Sequence, residues 1–128
     1  MKGGVDGEVY DVISTNNLTY AVGNFHHAGG KAIDYIAKWN GQNWSAMCSI
    51  PPSSNVIAIK NFNSALYAIG YFTSIDGINA SYIAKYENNQ WNSIGLGFDT
   101  PPNQMIVCGG KLYISGGLLC SMATLYDL

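Results

Sequence analysis

The chain contains no arginine: its six basic residues are all lysine, and they are scattered along its length. Arginine supplies the planar fork that grips phosphate and guanine, and nucleic-acid binding needs clustered positive charge, so nucleic acid is not an expected partner. Charge of either sign is scarce. Only 11% of residues are charged against 48% hydrophobic, with a net charge of −2, a balance that excludes disorder and predicts a folded chain. No apolar run approaches the roughly 18 residues of a membrane span, so none is expected. The opening Met1-Lys2-Gly3-Gly4-Val5-Asp6-Gly7 has no apolar stretch behind its lysine, and no secretory leader is expected there.

Cysteine is also sparse. Cys48, Cys108 and Cys120 cannot all pair within one chain, and their spacing matches no zinc or redox pattern. Free buried thiols are expected, with a reducing setting, cytoplasmic or inside a larger assembly, preferred. The triplets that begin at Asn17, Asn43 and Asn79 have the form of glycosylation acceptors, but such triplets arise by chance in a sequence this rich in asparagine and serine.

What the chain does have is a repeat. At an offset of 47, residues 20–47 fall on residues 67–94 with ten identities in 28 positions and no gap. Tyr20, Ala21, Gly23, Phe25 and Gly30 meet Tyr67, Ala68, Gly70, Phe72 and Gly77. The run Tyr35-Ile36-Ala37-Lys38 meets Tyr82-Ile83-Ala84-Lys85, and Trp44 meets Trp91. A third copy starts at Leu112-Tyr113-Ile114 with Gly116, at an offset of 46. It loses about six residues of the following loop and stops before any tryptophan equivalent.

Each full repeat reads as four short strands of β-forming residues, and nothing has helical period over helical length. In the first they are residues 9–14, 18–24, 33–40 and 44–47, with a longer loop at Gly29-Gly30 and a tight turn at Asn40-Gly41. In the second they are residues 55–61, 65–71, 81–87 and 90–94. The prolines, paired at 51–52 and 101–102, fall where one unit hands over to the next. Four antiparallel strands in about 45 residues is the arithmetic of a propeller blade. The expected fold is therefore all-β, one domain over 1–128, with β-propeller blades of four antiparallel strands, two complete and a third truncated. Their bounds are about 8–50, 54–97 and 102–128.

The pattern Leu-Tyr-x-x-Gly-x-Phe-Thr, a Gly-containing loop, Ile-Ala-Lys-(Trp/Tyr) and a closing tryptophan strand resembles the kelch-like propeller repeats of secreted bacterial and fungal surface proteins. Residues 65–94 carry it best and residues 18–47 nearly as well. The resemblance implies the fold, and implies binding of proteins or sugars more than catalysis. Propellers close with about four to eight blades, so an open stack here would expose blade faces full of aromatics. Two copies in a six-bladed ring, completion by other chains, or a longer gene product would each resolve this, and assembly is expected over a fragment.

Chemistry is hard to find. His26-His27 lies where the second copy has Thr73-Ser74, and adjacent extended residues point opposite ways, which argues against a shared metal. Nor do two histidines in one loop resemble the copper radical centre found in some kelch-like oxidases. Asp34 and Asp76 read as strand-edge and turn residues. No catalytic residue, metal or cofactor is expected, and the chain is expected not to be an enzyme. Candidate binding positions are the loop residues His26, His27, Tyr71, Asp76 and Asn79, which differ between repeats on a shared frame. The expected partners are proteins or copies of the chain itself. A small lectin-like propeller that binds carbohydrate is the alternative.

Overall fold

The computed structural model describes residues 4–50, 54–94, 101–116 and 123–126, and every regular element among them is a β-strand. Strands β1 (Glu8–Thr15), β2 (Leu18–Asn24), β5 (Ile36–Trp39) and β6 (Trp44–Ala46) form a first antiparallel sheet in the order β1-β2-β5-β6. A separate hairpin, β3 (His27–Ala28) with β4 (Lys31–Ala32), sits between β2 and β5. The second repeat copies this arrangement. Strands β7 (Asn55–Phe62), β8 (Ala65–Tyr71), β11 (Ile83–Glu87) and β12 (Gln90–Ser93) form the second sheet, and β9 (Ser74–Ile75) with β10 (Ile78–Asn79) its hairpin. The third sheet has three strands, β13 (Pro102–Cys108), β14 (Lys111–Gly116) and β15 (Ala123–Tyr126).

The loop expected at Gly29-Gly30 is thus a two-stranded hairpin. The strands expected from residues 33 and 81 begin only at Ile36 and Ile83, because the preceding tyrosines turn the chain. Tyr35 and Tyr82 hold φ of 64° and 72°, a conformation rare for a bulky residue. Hydrogen bonds hold both: the Tyr35 and Tyr82 N–H groups donate to the carbonyls of Phe25 and Phe72, and their own carbonyls accept from Gly23 and Gly70. The two-residue turns at Asn16-Asn17, Asn63-Ser64, Asn88-Asn89 and Gly109-Gly110 place both central residues at positive φ, the type I′ geometry that matches strand twist. Asn40-Gly41, expected as a tight turn, belongs instead to a four-residue connection in which Asn40 Oδ1 accepts from the Gln42 and Asn43 N–H groups.

A β-bulge recurs at one place in all three repeats. The register slips between Val9 and Asp11, between Val56 and Ala58, and between Pro102 and Gln104. Gly23, Gly70 and Gly116 pair with Val9, Val56 and Pro102 beside the bulges. A Cβ on Gly23 would run into the Glu8 carbonyl and one on Gly70 into the Asn55 carbonyl, which explains why glycine repeats there.

Three apolar clusters organise the packing. One face of the first sheet, with Tyr20, Val22 and Ile36, meets Val56, Ile59, Ala68 and Trp91 of the second. The opposite face of the second sheet, with Tyr67, Ile69 and Ile83, meets Met105, Leu112 and Ile114 of the third. The outer face of the first sheet gathers Ala21, Phe25, Ala28, Ala37 and Trp44 into the last cluster, with Val5 and Trp39 against it.

The expected partial propeller is corrected by this architecture. The described residues form five separate sheets of two to four strands, none closed on itself and none closing the series. The positive-φ tyrosines split each of the first two repeats into a sheet and a hairpin, where a plain four-strand blade was expected. A binding or assembly module built from kelch-like propeller blades, or a lectin-like propeller, therefore has no footing in this fold. Of the repeated aromatics expected to be exposed on an open stack, Phe25, Tyr35 and Trp44 of the first repeat are buried, while Tyr10 of β1, which is not part of the repeat, is 43% exposed. Cys108 is exposed, against the expected buried thiol, and Cys48 is partly buried. Burial, with the Asp76 and Asp34 carboxylates nearby, pushes the Cys48 thiol pKa up. Cys120 and the proline pair at 51–52 lie outside the described residues.

Candidate functional site

The five sequence candidates lie at the hairpin end of the sheets, and among the described residues none of their side chains bonds another of the five. His26 and His27 belong to the first hairpin segment, and both are tied to carboxylates. The N–H groups of both donate to Asp6 Oδ1 at 2.9 Å. His27 Nδ1 lies 2.8 Å from Asp6 Oδ2, and His26 Nδ1 lies 2.8 Å from Asp34 Oδ1. The His26 ring also meets Tyr35 edge-on at 5.5 Å. The backbone and side-chain hydrogen bonds from His26 and His27 hold the Asp6 carboxyl well below the usual carboxylate range. Asp6 thereby fastens the incoming segment to the hairpin, with Val5 bridging Ala28 and the Gly29 N–H donating to the Gly4 carbonyl.

Asp76 does the same work one repeat later. Its N–H donates to the Ser49 carbonyl at 2.8 Å, and its Oδ1 accepts from the Ser49 N–H at 2.7 Å. Asn79 pairs with Ser74 in the second hairpin and is exposed. Tyr71 ends β8 with 55% of its surface exposed, its N–H donating to Asn55 Oδ1.

At the opposite end a cleft of about 420 Å³ opens between the first and second sheets. The turn residues Asn16, Ser64, Asn88 and Asn89 rim it, and Tyr20 and Tyr86 stand on its walls. No group of three or more His, Cys, Asp or Glu among the described residues is placed to hold a metal ion.

The residues that sequence reasoning missed are aliphatic and lie on the outer face of the first sheet. Val9 and Val12 align with Val56 and Ile59, both in register and in sequence. Val56 and Ile59 are wholly buried beneath the first sheet, whereas Val9 and Val12 are 41% and 52% exposed. Trp44 marks the same face. Its counterpart Trp91 donates its indole N–H to the Met47 carbonyl at 3.2 Å, a group from the linker that crosses over from the first repeat. The Trp44 indole N–H is buried and has no acceptor among the described residues. The signal for this face was available in the repeat itself: the first copy has no earlier copy before it among residues 1–128 to cover the positions that the second copy buries.

No protein-family model matches the chain, and no curated protein matches it. The resemblance to kelch-like repeats is accordingly withdrawn along with the propeller. No helix among the described residues is long and apolar enough to cross a membrane, which says nothing of spans made by strands.

Proposed function

We propose that the chain is a non-catalytic protein-binding module whose binding surface is the outer face of the first sheet, and that its partner presents the face of another β-sheet. The carrying observation is the contrast between Val9 and Val12, exposed, and their repeat counterparts Val56 and Ile59, buried under a neighbouring sheet. Exposed aliphatic side chains on an otherwise well-formed sheet mark an interaction surface. The reduced thiols Cys48 and Cys108 fit a reducing compartment or the interior of a larger assembly, where we place the protein.

A photo-crosslinking residue at position 12, compared with one at exposed position 71, tests the surface in cells. A discrete protein adduct from position 12 alone is expected. Equal labelling at both positions, or none at 12, would sink the proposal.

A second reading concerns carbohydrate. The cleft, with the partly exposed Tyr86 on its wall and Asn16, Asn88 and Asn89 at its rim, offers a stacking surface and amide groups of the kind a sugar uses. Chemical-shift mapping against an oligosaccharide panel tests it: perturbations confined to these residues support the reading, and an unperturbed cleft rejects it.

A further inference from the structure

We infer that the sheet that covers the outer face of the first sheet is the third sheet of a second copy of this chain, stacked head to tail. The inference rests on the docking surface proposed above and names its occupant.

The chain makes one kind of sheet-on-sheet contact twice. In the first, Ile13 and Tyr20, paired across β1 and β2, look toward the face of the second sheet that carries Ile59 and Ala68. In the second, Tyr67 and Ile69 look toward the face of the third sheet that carries Met105 and Ile114. Each contact joins a lower face of one repeat to an upper face of the next. Among the described residues two halves of such a contact are left unmatched. The upper face of the first sheet carries Val12, in the place of Ile59 and Met105. The lower face of the third carries Ile106, in the place of Ile13, paired with Tyr113 as Ile13 is with Tyr20. Ile13 is partly buried against the second sheet, whereas Ile106 is 55% exposed.

The polar link of the first contact, in which Asp11 Oδ2 accepts the Ile59 N–H at 3.0 Å, is not part of the inferred one: on the outer face the Val12 N–H already donates to Asp11 Oδ1, so the contact rests on the apolar pair. Because the two surfaces differ, the contact is heterologous, and copies add in series.

Two variants separate this from any other mode of association. Val12→Asp blocks the upper face and Ile106→Asp the lower face, and both positions are exposed, so folding should survive; circular dichroism checks this, with Val12→Thr and Ile106→Thr as milder replacements. Sedimentation at up to about 1 mM is the measurement. Wild-type chain is expected to gain mass with concentration, while each variant alone stays near 13.8 kDa. Mixed in equal amounts, the variants retain one intact face each and are expected to form a 1:1 dimer of twice that mass. A mixture that stays at the single-chain mass overturns the inference, as does either variant associating alone like wild type. A crosslink from position 12 to a different protein, with no dimer in the mixture, would keep the docking surface and reject the second copy as its occupant.

Discussion

Asp11 reaches from the first sheet to the second, its Oδ2 accepting the Ile59 N–H at 3.0 Å while its Oδ1 accepts the N–H of Val12. One carboxylate thus serves both strands that line this contact. Asn61 adds a parallel link, its Nδ2 donating to Thr15 Oγ1 at 2.9 Å. The positions equivalent to Asp11 are Ala58 and Gln104, so the second and third sheets meet without this link.

Replacing Asp11 with alanine leaves the N–H of fully buried Ile59 without its acceptor. An unsatisfied buried donor costs about 1–3 kcal/mol. Chemical denaturation should show Asp11→Ala destabilised within that range, and Asp11→Asn, which keeps an acceptor oxygen, destabilised less.

The two repeat tryptophans should answer differently to phenylalanine. Trp91→Phe removes the hydrogen bond to the Met47 carbonyl, whereas Trp44→Phe removes a donor that has no acceptor among the described residues. The loss of volume is similar in both. Trp91→Phe is therefore expected to be the more costly by about 1 kcal/mol, read as the difference between two unfolding midpoints at equal slope.

Gly70→Ala should be poorly tolerated. The added methyl would meet the Asn55 carbonyl and approach the Val56 Cα to 2.7 Å, both backbone atoms that cannot turn aside. Overpacking of this kind costs about 1–3 kcal/mol. Alanine at Gly4, with open space around the position of a Cβ, is the control and should leave thermal stability unchanged.

Asp6 sets a dependence on pH. Its folded pKa is depressed by hydrogen bonds from His26 and His27, so it stabilises the fold at pH values above its unfolded pKa of about 3.9. That contribution is lost as pH falls below about 4 toward the lower folded value. Melting temperature should decline over this interval, and Asp6→Asn should decline less, since it has no carboxylate to protonate.

The repeat was legible because Tyr20, Gly23, Phe25, Tyr35 and Trp44 recur with one spacing, and strands with β-forming residues follow from local preference. The register bulges were not legible. A bulge is a property of how two backbones pair, and Val9-Tyr10-Asp11 has no residue that marks one. The positive φ of Tyr35 and Tyr82 was hidden for the opposite reason, since their identity argues for extended strand and only the surrounding hydrogen bonds hold them otherwise. Of the candidates expected in loops, His26 and Asp76 fall at a bend and a turn while His27, Tyr71 and Asn79 lie in strands, and His26, His27 and Asp76 fasten segments together. The exposed aliphatic face was harder to read, since Val9 and Val12 are the same kind of residue as their buried counterparts Val56 and Ile59 and only a neighbouring sheet distinguishes them.

The recurring bulge has a consequence for how this molecule meets others. Strands β1, β7 and β13 are each the outermost rung of their sheet, and such rungs invite a foreign strand to pair with them. All three carry the same irregularity, which kinks the ladder that an incoming strand would have to match. The rungs on the far side of the first two sheets, β6 and β12, are only three and four residues long. Lateral extension into a fibre is thus opposed at both margins of those sheets, so that any growth of the stack is directed through its flat sides.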